Sequence, residues 1–324
     1  MSPMIAETFK INSTVVSRLM KFKANEKLAH AYIFVGPALS GKFETALEIA
    51  KMLNCESLGD SACGQCPQCI KIAAGNHPDV HVTASDPFES IKIEQVRDIL
   101  GQIRLRAFMA KTKVFLVKNV EMLTSEAANA LLKTLEEPTP SSLLILTTAS
   151  FENVLDTIKS RCHWMFFAPE SADIIKSFIT KEYALTGPQA HCVAYFSQGC
   201  LGKAKDLLDH KFIERKNQLI DGFVFSANSD ALIKEIAAEK ADTKEFLMIM
   251  ISWVRDMILL KSSVMDERII HQDRIKDLAK LKDAFDSVRL DQAYKQLIKA
   301  VDLVNENLNV KMTLLILKET LSYG

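Results

Sequence analysis

A glycine-rich turn between a short apolar segment and an amphipathic segment constrains the fold of this chain more than any other sequence feature. Residues 36–47 read GPALSGKFETAL, in which Gly36, Gly41 and Lys42 reproduce the G-x-x-x-x-G-K frame of a phosphate-binding loop. The preceding segment HAYIFVGP (30–37) is typical of a strand. After the turn, helical spacing relates Ala46, Ile49, Ala50 and Leu53. The sequence therefore predicts the strand, turn and helix that such a loop requires.

The loop departs from its pattern where Mg²⁺ would be held. Phe43 follows Lys42, although this position normally carries the Ser or Thr that coordinates Mg²⁺. The second apolar strand, KVFLVKN (113–119), ends in Lys118 and Asn119, where a working ATPase has an Asp for Mg²⁺ and then a catalytic Glu. We therefore expect a degenerate loop that uses neither ATP nor Mg²⁺. In the alternative interpretation, the two glycines serve only the geometry of the turn.

Alternating strands and helices predict an α/β fold with a parallel sheet in the first half of the chain. A third strand is SLLILTTAS (142–150), and TSEAANALLKTLEEP (124–138) predicts a helix that Thr124 or Ser125 caps and Pro138 stops. Only helical patterns follow Pro169. The predicted domains are an α/β nucleotide-type domain, a small helical lid and a helical C-terminal domain, at 1–168, 169–212 and 213–324.

Nothing in the sequence indicates a membrane protein or a secreted one. The most apolar late run, FLMIMISWVRDMILL (246–260), contains Arg255 and Asp256 and is shorter than a membrane span, so it predicts a buried helix. The first 20 residues show no secretory pattern. We expect a cytoplasmic protein.

Four of the seven cysteines crowd into residues 55–69, as CESLGDSACGQCPQC. The two C-x₂-C turns formed by Cys63, Cys66 and Cys69, together with Cys55, suit a tetrahedral Zn²⁺. A site with four protein ligands is structural rather than catalytic. Free buried thiols or a redox pair are the alternatives, and His77 could replace one ligand, although NHPDV is more typical of a loop.

The charge balance argues against a general affinity for polyanions. Forty basic and forty acidic residues give a formal net charge of zero, so contact with nucleic acid would require a local patch. The segment RLRAFMAKTK supplies one candidate patch, but scattered cations more often solvate a surface. Its cations are Arg104, Arg106, Lys111 and Lys113.

The segments HAYIFVGPALSGK, the four-cysteine set, NALLKTLEEP and SRC, in this order, resemble the bacterial clamp-loader ATPase family of DNA polymerase III over about residues 1–210. The resemblance implies an AAA+ fold with an α/β domain, a helical lid and a C-terminal collar domain that joins a pentamer. It also implies partners, namely the motor and delta subunits, and through the complex a sliding clamp and primed DNA. The degenerate Mg²⁺ positions indicate the delta prime branch rather than the hydrolysing tau/gamma branch.

The resemblance also assigns roles to residues. Arg161 in the motif Ser160-Arg161-Cys162 matches the finger that reaches the ATP of a neighbouring motor subunit, whereas an isolated exposed Arg would be only a solvated charge. Lys203 stands where motor subunits carry a nucleotide-sensing Arg. The same resemblance assigns the four zinc ligands, with seven residues between the first two where eight are usual.

Three hypotheses follow. The first is a non-hydrolysing clamp-loader subunit that donates Arg161 in trans. The second is a tau/gamma-like motor with Mg²⁺-dependent hydrolysis, and the third is a zinc-knuckle protein that binds nucleic acid on its own.

Overall fold

In the computed structural model of the chain, residues 12–57, 61–84, 89–262, 268–306 and 308–321 are described. The chain divides into two compact units, the first comprising Met1–Glu170 with Cys200–Lys203 and the second comprising Ser171–Gly199 with Ala204–Gly324. Most of the segment expected to form a separate lid therefore groups with the C-terminal helices. The three-domain division stays a prediction.

The first unit is built on a parallel sheet. The strands pair in the order β2-β3-β4-β1-β5, and every pairing is parallel, which confirms the predicted sheet and its three predicted strands. In chain order the elements are α1 (Ser13–Ala24), β1 (Ala31–Val35), α2 (Lys42–Asn54), α3 (Pro67–Ala73), β2 (Val80–Thr83), α4 (Ile93–Arg104), β3 (Lys113–Val117), α5 (Ser125–Glu136), β4 (Ser142–Thr148), α6 (Asp156–Lys159) and β5 (His163–Phe166).

Helices cover both faces of this sheet, so its central strands are apolar throughout. In β1, Tyr32 and Phe34 pack on the side of α1 and α2, whereas Ile33 packs on the side of α4 and α5. All five residues of β1 are buried. This arrangement explains the continuous apolar runs in the sequence.

The sequence predicted helix α5 closely. The Thr124 side chain accepts a hydrogen bond from the Ala127 backbone N–H (3.3 Å), which caps the first turn, and the helix ends two residues before Pro138. Ala128, Leu131 and Leu135 are buried. Leu132 is only partly buried at the edge of the same core.

The second unit is helical. Its elements are α7 (Ala172–Glu182), α8 (Gly187–Phe196), α9 (Leu201–Asp209, whose first three residues belong to the first unit), α10 (Phe212–Ile220), a π-helical turn (Asp221–Phe225), α11 (Asp230–Ile236), α12 (Lys240–Lys261), a 3₁₀ turn (Gln272–Arg274), α13 (Ile275–Ala284), α14 (Ser287–Asn305) and α15 (Lys311–Leu321).

Helix α12 supplies the core of this unit and confirms the prediction of a buried helix. Phe246, Met250, Trp253 and Met257 lie on it and are fully buried. Among the described residues, we find no helix with the length and apolar character needed to span a bilayer.

Candidate functional site

The glycine-rich turn has the backbone of a phosphate loop, but it is closely packed. Gly41 has φ of 83° and directly precedes α2, a conformation that favours glycine. At Gly36, an added Cβ would lie 2.7 Å from the carbonyl oxygen of Phe167, so a side chain does not fit. Both glycines are therefore required by geometry, and the structure places them at the predicted strand-to-helix junction.

Lys42 turns back onto its own loop. Its Nζ donates hydrogen bonds to the carbonyl oxygens of Gly36 (2.7 Å) and Pro37 (2.6 Å), and the residue is only 7% exposed. Burial lowers the pKa of this ammonium group. In this conformation the charge that would face the β- and γ-phosphates is used to hold the loop closed.

The segment that carries Lys203 packs against the same loop. A Cβ added at Gly202 would lie 2.5 Å from the carbonyl oxygen of Leu39, so only glycine allows this approach. Leu39 itself adopts a left-handed conformation with φ of 59°. Burial lowers the pKa of Lys203. The loop is therefore covered at the position where a nucleotide-sensing side chain was expected.

The two residues that replace the Mg²⁺-handling groups contact each other. The Lys118 Nζ lies 3.4 Å from the centroid of the Phe43 ring, which is a close cation–π contact. Burial lowers the pKa of Lys118. An ammonium group and an aromatic face thus stand where a carboxylate and a hydroxyl would hold a metal ion. Neither offers a lone pair to Mg²⁺.

The residues that follow Lys118 serve the backbone. Asn119 is left-handed (φ 54°), and its N–H donates to Thr147 Oγ1 (3.3 Å). Glu121 is partly buried, and its Oε1 accepts the N–H of Ala149 (3.0 Å). The carboxylate therefore tethers the backbone directly after β4.

The four predicted zinc ligands come together. One sulfur atom each from Cys55, Cys63, Cys66 and Cys69 lies within 4.8 Å of the others. Cys66 caps α3, and its backbone N–H donates to Cys63 Sγ (3.3 Å), which is the hydrogen bonding expected of a knuckle turn. Residues 58–60, between the first two cysteines, lie outside the described residues.

The electrostatics of this cluster suit a bound cation. Hydrogen bonds from the N–H groups of Gln65 and Cys66 lower the pKa of the Cys63 thiol to about 6, whereas burial raises that of Cys69 to about 12. A Zn²⁺ ion would stabilise the thiolates and displace the remaining protons. The donor set therefore fits a structural zinc ion, which four sulfur ligands would fully coordinate.

His77 is not placed to act as a ligand. Its Nδ1 accepts the N–H of Asp79 (3.0 Å), so the proton is on Nε2, which donates to Gln68 Oε1 (2.6 Å). Both ring nitrogens are therefore used within the fold. The expectation that His77 belongs to a loop next to a strand fits its position before β2.

Arg161 lies in the turn between α6 and β5 and is partly exposed. Its guanidinium group lies 2.7 Å from Glu136 Oε1, and it donates to the carbonyl oxygen of Thr157 (2.9 Å) and to Ser160 Oγ (3.2 Å). The Arg161 side chain is 34% exposed and that of Glu136 is 51% exposed. The sequence did not reveal Glu136 as a partner, although it lies in the motif NALLKTLEEP.

The basic segment contributes less charge to the surface than its sequence suggests. Lys111 Nζ donates to the carbonyl oxygen of Cys55 (2.6 Å), and Lys113 Nζ donates to that of Leu105 (3.0 Å) and so caps the end of α4. Arg104 and Arg106 are exposed. Lys111 is also exposed, so Lys113 alone of the four candidate cations is buried in the fold.

Two protein-family models match this chain. A model described as DNA polymerase III, delta subunit, matches residues 11–171, and one described as DNA polymerase III, delta subunit, C terminal, matches residues 210–322. Together they cover most of both structural units.

Several curated proteins are similar in sequence. DNA polymerase III subunit delta' of Bacillus subtilis is 34% identical over 51% of this chain and 51% of its own length. The subunit delta' of Pseudomonas aeruginosa is 42% identical over 41% of this chain and 42% of its own length. DNA polymerase III subunit tau of B. subtilis is 26% identical over 90% of this chain and 56% of its own length. The chain spans about half the length of the curated relatives it matches.

Proposed function

This chain belongs to the DNA polymerase III delta subunit family and is a delta prime-like clamp-loader subunit with an AAA+ fold, and from that premise we propose that it hydrolyses no ATP itself and donates Arg161 to the ATP of a neighbouring motor subunit. The observation that carries the proposal is the contact between Phe43 and Lys118. It fills the metal-binding side of the phosphate loop with groups that cannot bind Mg²⁺.

Three features of the loop support the absence of hydrolysis. P-loop ATPases need Mg²⁺ to bridge the β- and γ-phosphates and to neutralise the charge that develops in the transition state. Here a cation occupies that side, Lys42 is bound to carbonyl oxygens, and Gly202 closes over Leu39. Binding of Mg·ATP would require all three arrangements to change.

Arg161 has the properties required of a finger that acts on another subunit. It is partly exposed, and it is held by a partly exposed carboxylate, a kind of ion pair that contributes only about 0–1 kcal/mol. A triphosphate carries more charge than one carboxylate, so it can attract the guanidinium group away from Glu136. Such a finger increases the hydrolysis rate by roughly 10³ to 10⁵ in other systems.

The other roles follow from the same proposal. The helical C-terminal region, residues 213–324, would join the collar with the motor and delta subunits, and the turn Ser160-Arg161-Cys162 would face the motor. The complete loader would place a sliding clamp on primed DNA in the cytoplasm. The four-cysteine cluster would hold a structural zinc ion that fixes the end of α2 to α3.

The test is reconstitution of a loader from this chain with motor and delta subunits. We expect a defined complex with DNA-stimulated ATPase activity, and we expect Arg161→Ala to assemble normally but to lower that activity strongly. Arg104→Ala, which removes an exposed charge elsewhere in the first unit, is the matched control. A normal rate from a correctly assembled Arg161→Ala complex would reject the finger.

A motor function is the second candidate, because the similarity to subunit tau extends over 90% of this chain. It requires the purified chain alone to hydrolyse ATP with Mg²⁺. A third candidate, binding of nucleic acid by the isolated chain, is disfavoured because the formal net charge is zero and Lys113 of the basic segment is buried. It requires tight DNA binding that weakens steeply with salt.

A further inference from the structure

A second group of metal-ligating side chains lies inside the helical unit. Cys192 on α8, and His271 and Asp273 at the 3₁₀ turn after α12, each place one ligand atom within 4.8 Å of the other two. Cys192 and His271 are fully buried. We call these three residues the Cys192 cluster.

The hydrogen bonds of His271 determine which ring nitrogen is available. Ser252 Oγ lies 2.8 Å from the carbonyl oxygen of Ile249 and 2.9 Å from His271 Nε2. A hydroxyl has one proton, so Ser252 donates it to the carbonyl and accepts a hydrogen bond from Nε2–H. His271 Nδ1 therefore carries a lone pair, and among the described atoms it is buried with no hydrogen-bond partner.

Asp273 has a similar unused acceptor. Its Oδ2 accepts a hydrogen bond from Lys216 Nζ (2.6 Å), and Lys216 is fully buried. Its Oδ1 is buried and, within the described part of the chain, has no hydrogen-bond partner. Buried acceptors without a partner are rare and costly, so two of them beside one thiol require an explanation.

A hydrogen bond from the Cys192 thiol is the simplest explanation. It could satisfy His271 Nδ1 or Asp273 Oδ1, but a thiol has one proton and cannot satisfy both. A cation among the three atoms would satisfy both acceptors and the sulfur at once. A Cys192 thiolate and the Asp273 carboxylate would supply two negative charges to a divalent ion, although the carboxylate is shared with the Lys216 ammonium group through Oδ2.

We propose that Cys192 Sγ, His271 Nδ1 and Asp273 Oδ1 form a second structural metal site, for a divalent cation of the zinc class, that ties α8 to the segment after α12. Sulfur, imidazole and carboxylate are the three ligand types that zinc accepts, and water can complete a tetrahedron. Binding replaces the S–H bond of Cys192 by an S–metal bond and releases the proton to solvent.

Neighbouring groups hold the ligands in position. Asp256 is fully buried, and its Oδ2 accepts the backbone N–H of His271 (2.8 Å), while Ser252 fixes the imidazole ring through Nε2. Metal-binding histidines almost always have such a partner on the second nitrogen. Ser252 is therefore a positioning residue of the site.

Metal content distinguishes one site from two without any mutation. We expect the full chain, saturated with Zn²⁺ and then desalted, to retain two zinc ions, whereas the four-cysteine cluster alone would retain one. X-ray absorption should then show an average of about 2.5 sulfur ligands per zinc, since four thiolates and one thiolate serve two ions. One zinc with four sulfur ligands would overturn the proposal.

Variants assign the second ion. We expect Cys192→Ala to retain one zinc and Cys200→Ala, a buried cysteine outside both clusters, to retain two. Cys66→Ser should lose the other ion and keep the one bound to a single thiolate. Ser252→Ala should weaken the second site about tenfold or more, because it removes the hydroxyl that accepts from Nε2 and leaves all three ligands in place. Two zinc ions in Cys192→Ala would refute the ligand set, and the absorption measurement decides the question if that variant does not fold.

Discussion

Glu136 should compete with the neighbouring nucleotide for Arg161, so its neutralisation should make the finger more available. The Arg161 guanidinium group contacts Glu136 Oε1 at 2.7 Å, and a finger engaged on a neighbour's phosphate must leave this oxygen. We expect Glu136→Gln to increase the ATPase rate of the reconstituted loader. Arg161→Ala should decrease it.

The exposure of the ion pair limits the size of this increase. The two side chains are 34% and 51% exposed, and solvent screens such pairs to about 0.2–1 kcal/mol. At about 1.4 kcal/mol for each factor of ten, the rate should rise by at most about fivefold. The loss in Arg161→Ala should be far larger, because it removes charge stabilisation in the transition state. The increase should also shrink as salt is added, because salt screens the pair.

The assay is steady-state ATP hydrolysis by the loader on primed DNA, at low and at high ionic strength. Glu137→Gln is the matched control, since it removes the same charge one residue away and should leave the rate unchanged. A Glu136→Gln rate at or below that of the unmodified loader would refute the competition. It would mean that Glu136 holds the guanidinium group in its working position.

Three further results are expected. The double variant Phe43→Thr, Lys118→Asp should show measurable Mg²⁺-dependent ATP binding in calorimetry, because a hydroxyl and a carboxylate replace the ring and the ammonium group. If this variant binds no ATP, the closed loop alone excludes the nucleotide. Cys66→Ser should contain one zinc fewer than the unmodified chain by elemental analysis, and undiminished zinc would reject the four-cysteine ligand set. Burial lowers the pKa of His77 below its ordinary 6.5, so His77 binds a proton at a higher pH in the unfolded chain than in the folded chain. The free energy of unfolding of the first unit, measured with urea, should therefore decrease as the pH falls below about 6.5. His77→Gln should show a weaker pH dependence, and an equal dependence would assign the effect to other groups.

Local patterns predicted much of this fold. The three apolar runs became strands because each is buried on both faces of a parallel sheet, and α5 begins and ends at the residues its cap and proline indicated. The cysteine ligands were also predictable from a local pattern. Cys63, Cys66 and Cys69 are close in sequence, and short turns fix their separation.

The sequence could not reveal contacts between distant residues. Lys118 follows β3 and Phe43 lies in the first turn of α2, and only the packing of helix on sheet brings the ammonium group over the ring. The sequence motif likewise does not show that Lys42 donates to the carbonyl oxygens of Gly36 and Pro37 in the same loop. That choice depends on which other acceptors lie within reach of the side chain. Cys192 and His271 are likewise far apart in the sequence, and only the packing of the helices brings their side chains together.

Phe43 and Lys118 depend on each other, so a change of one of them alone should not restore Mg²⁺ binding. If Phe43 were a threonine while Lys118 remained, an ammonium group would face the Mg²⁺ ion and repel it. If Lys118 were an aspartate while Phe43 remained, the negative face of the ring would repel the carboxylate. The carboxylate would also have no hydroxyl beside it to help coordinate a metal ion. The observed pair avoids both conflicts, because the partly buried ammonium group lies 3.4 Å from a ring that stabilises it. Either single change should therefore leave the loop without Mg²⁺ and remove the favourable contact, and recovery of metal binding should require both changes together.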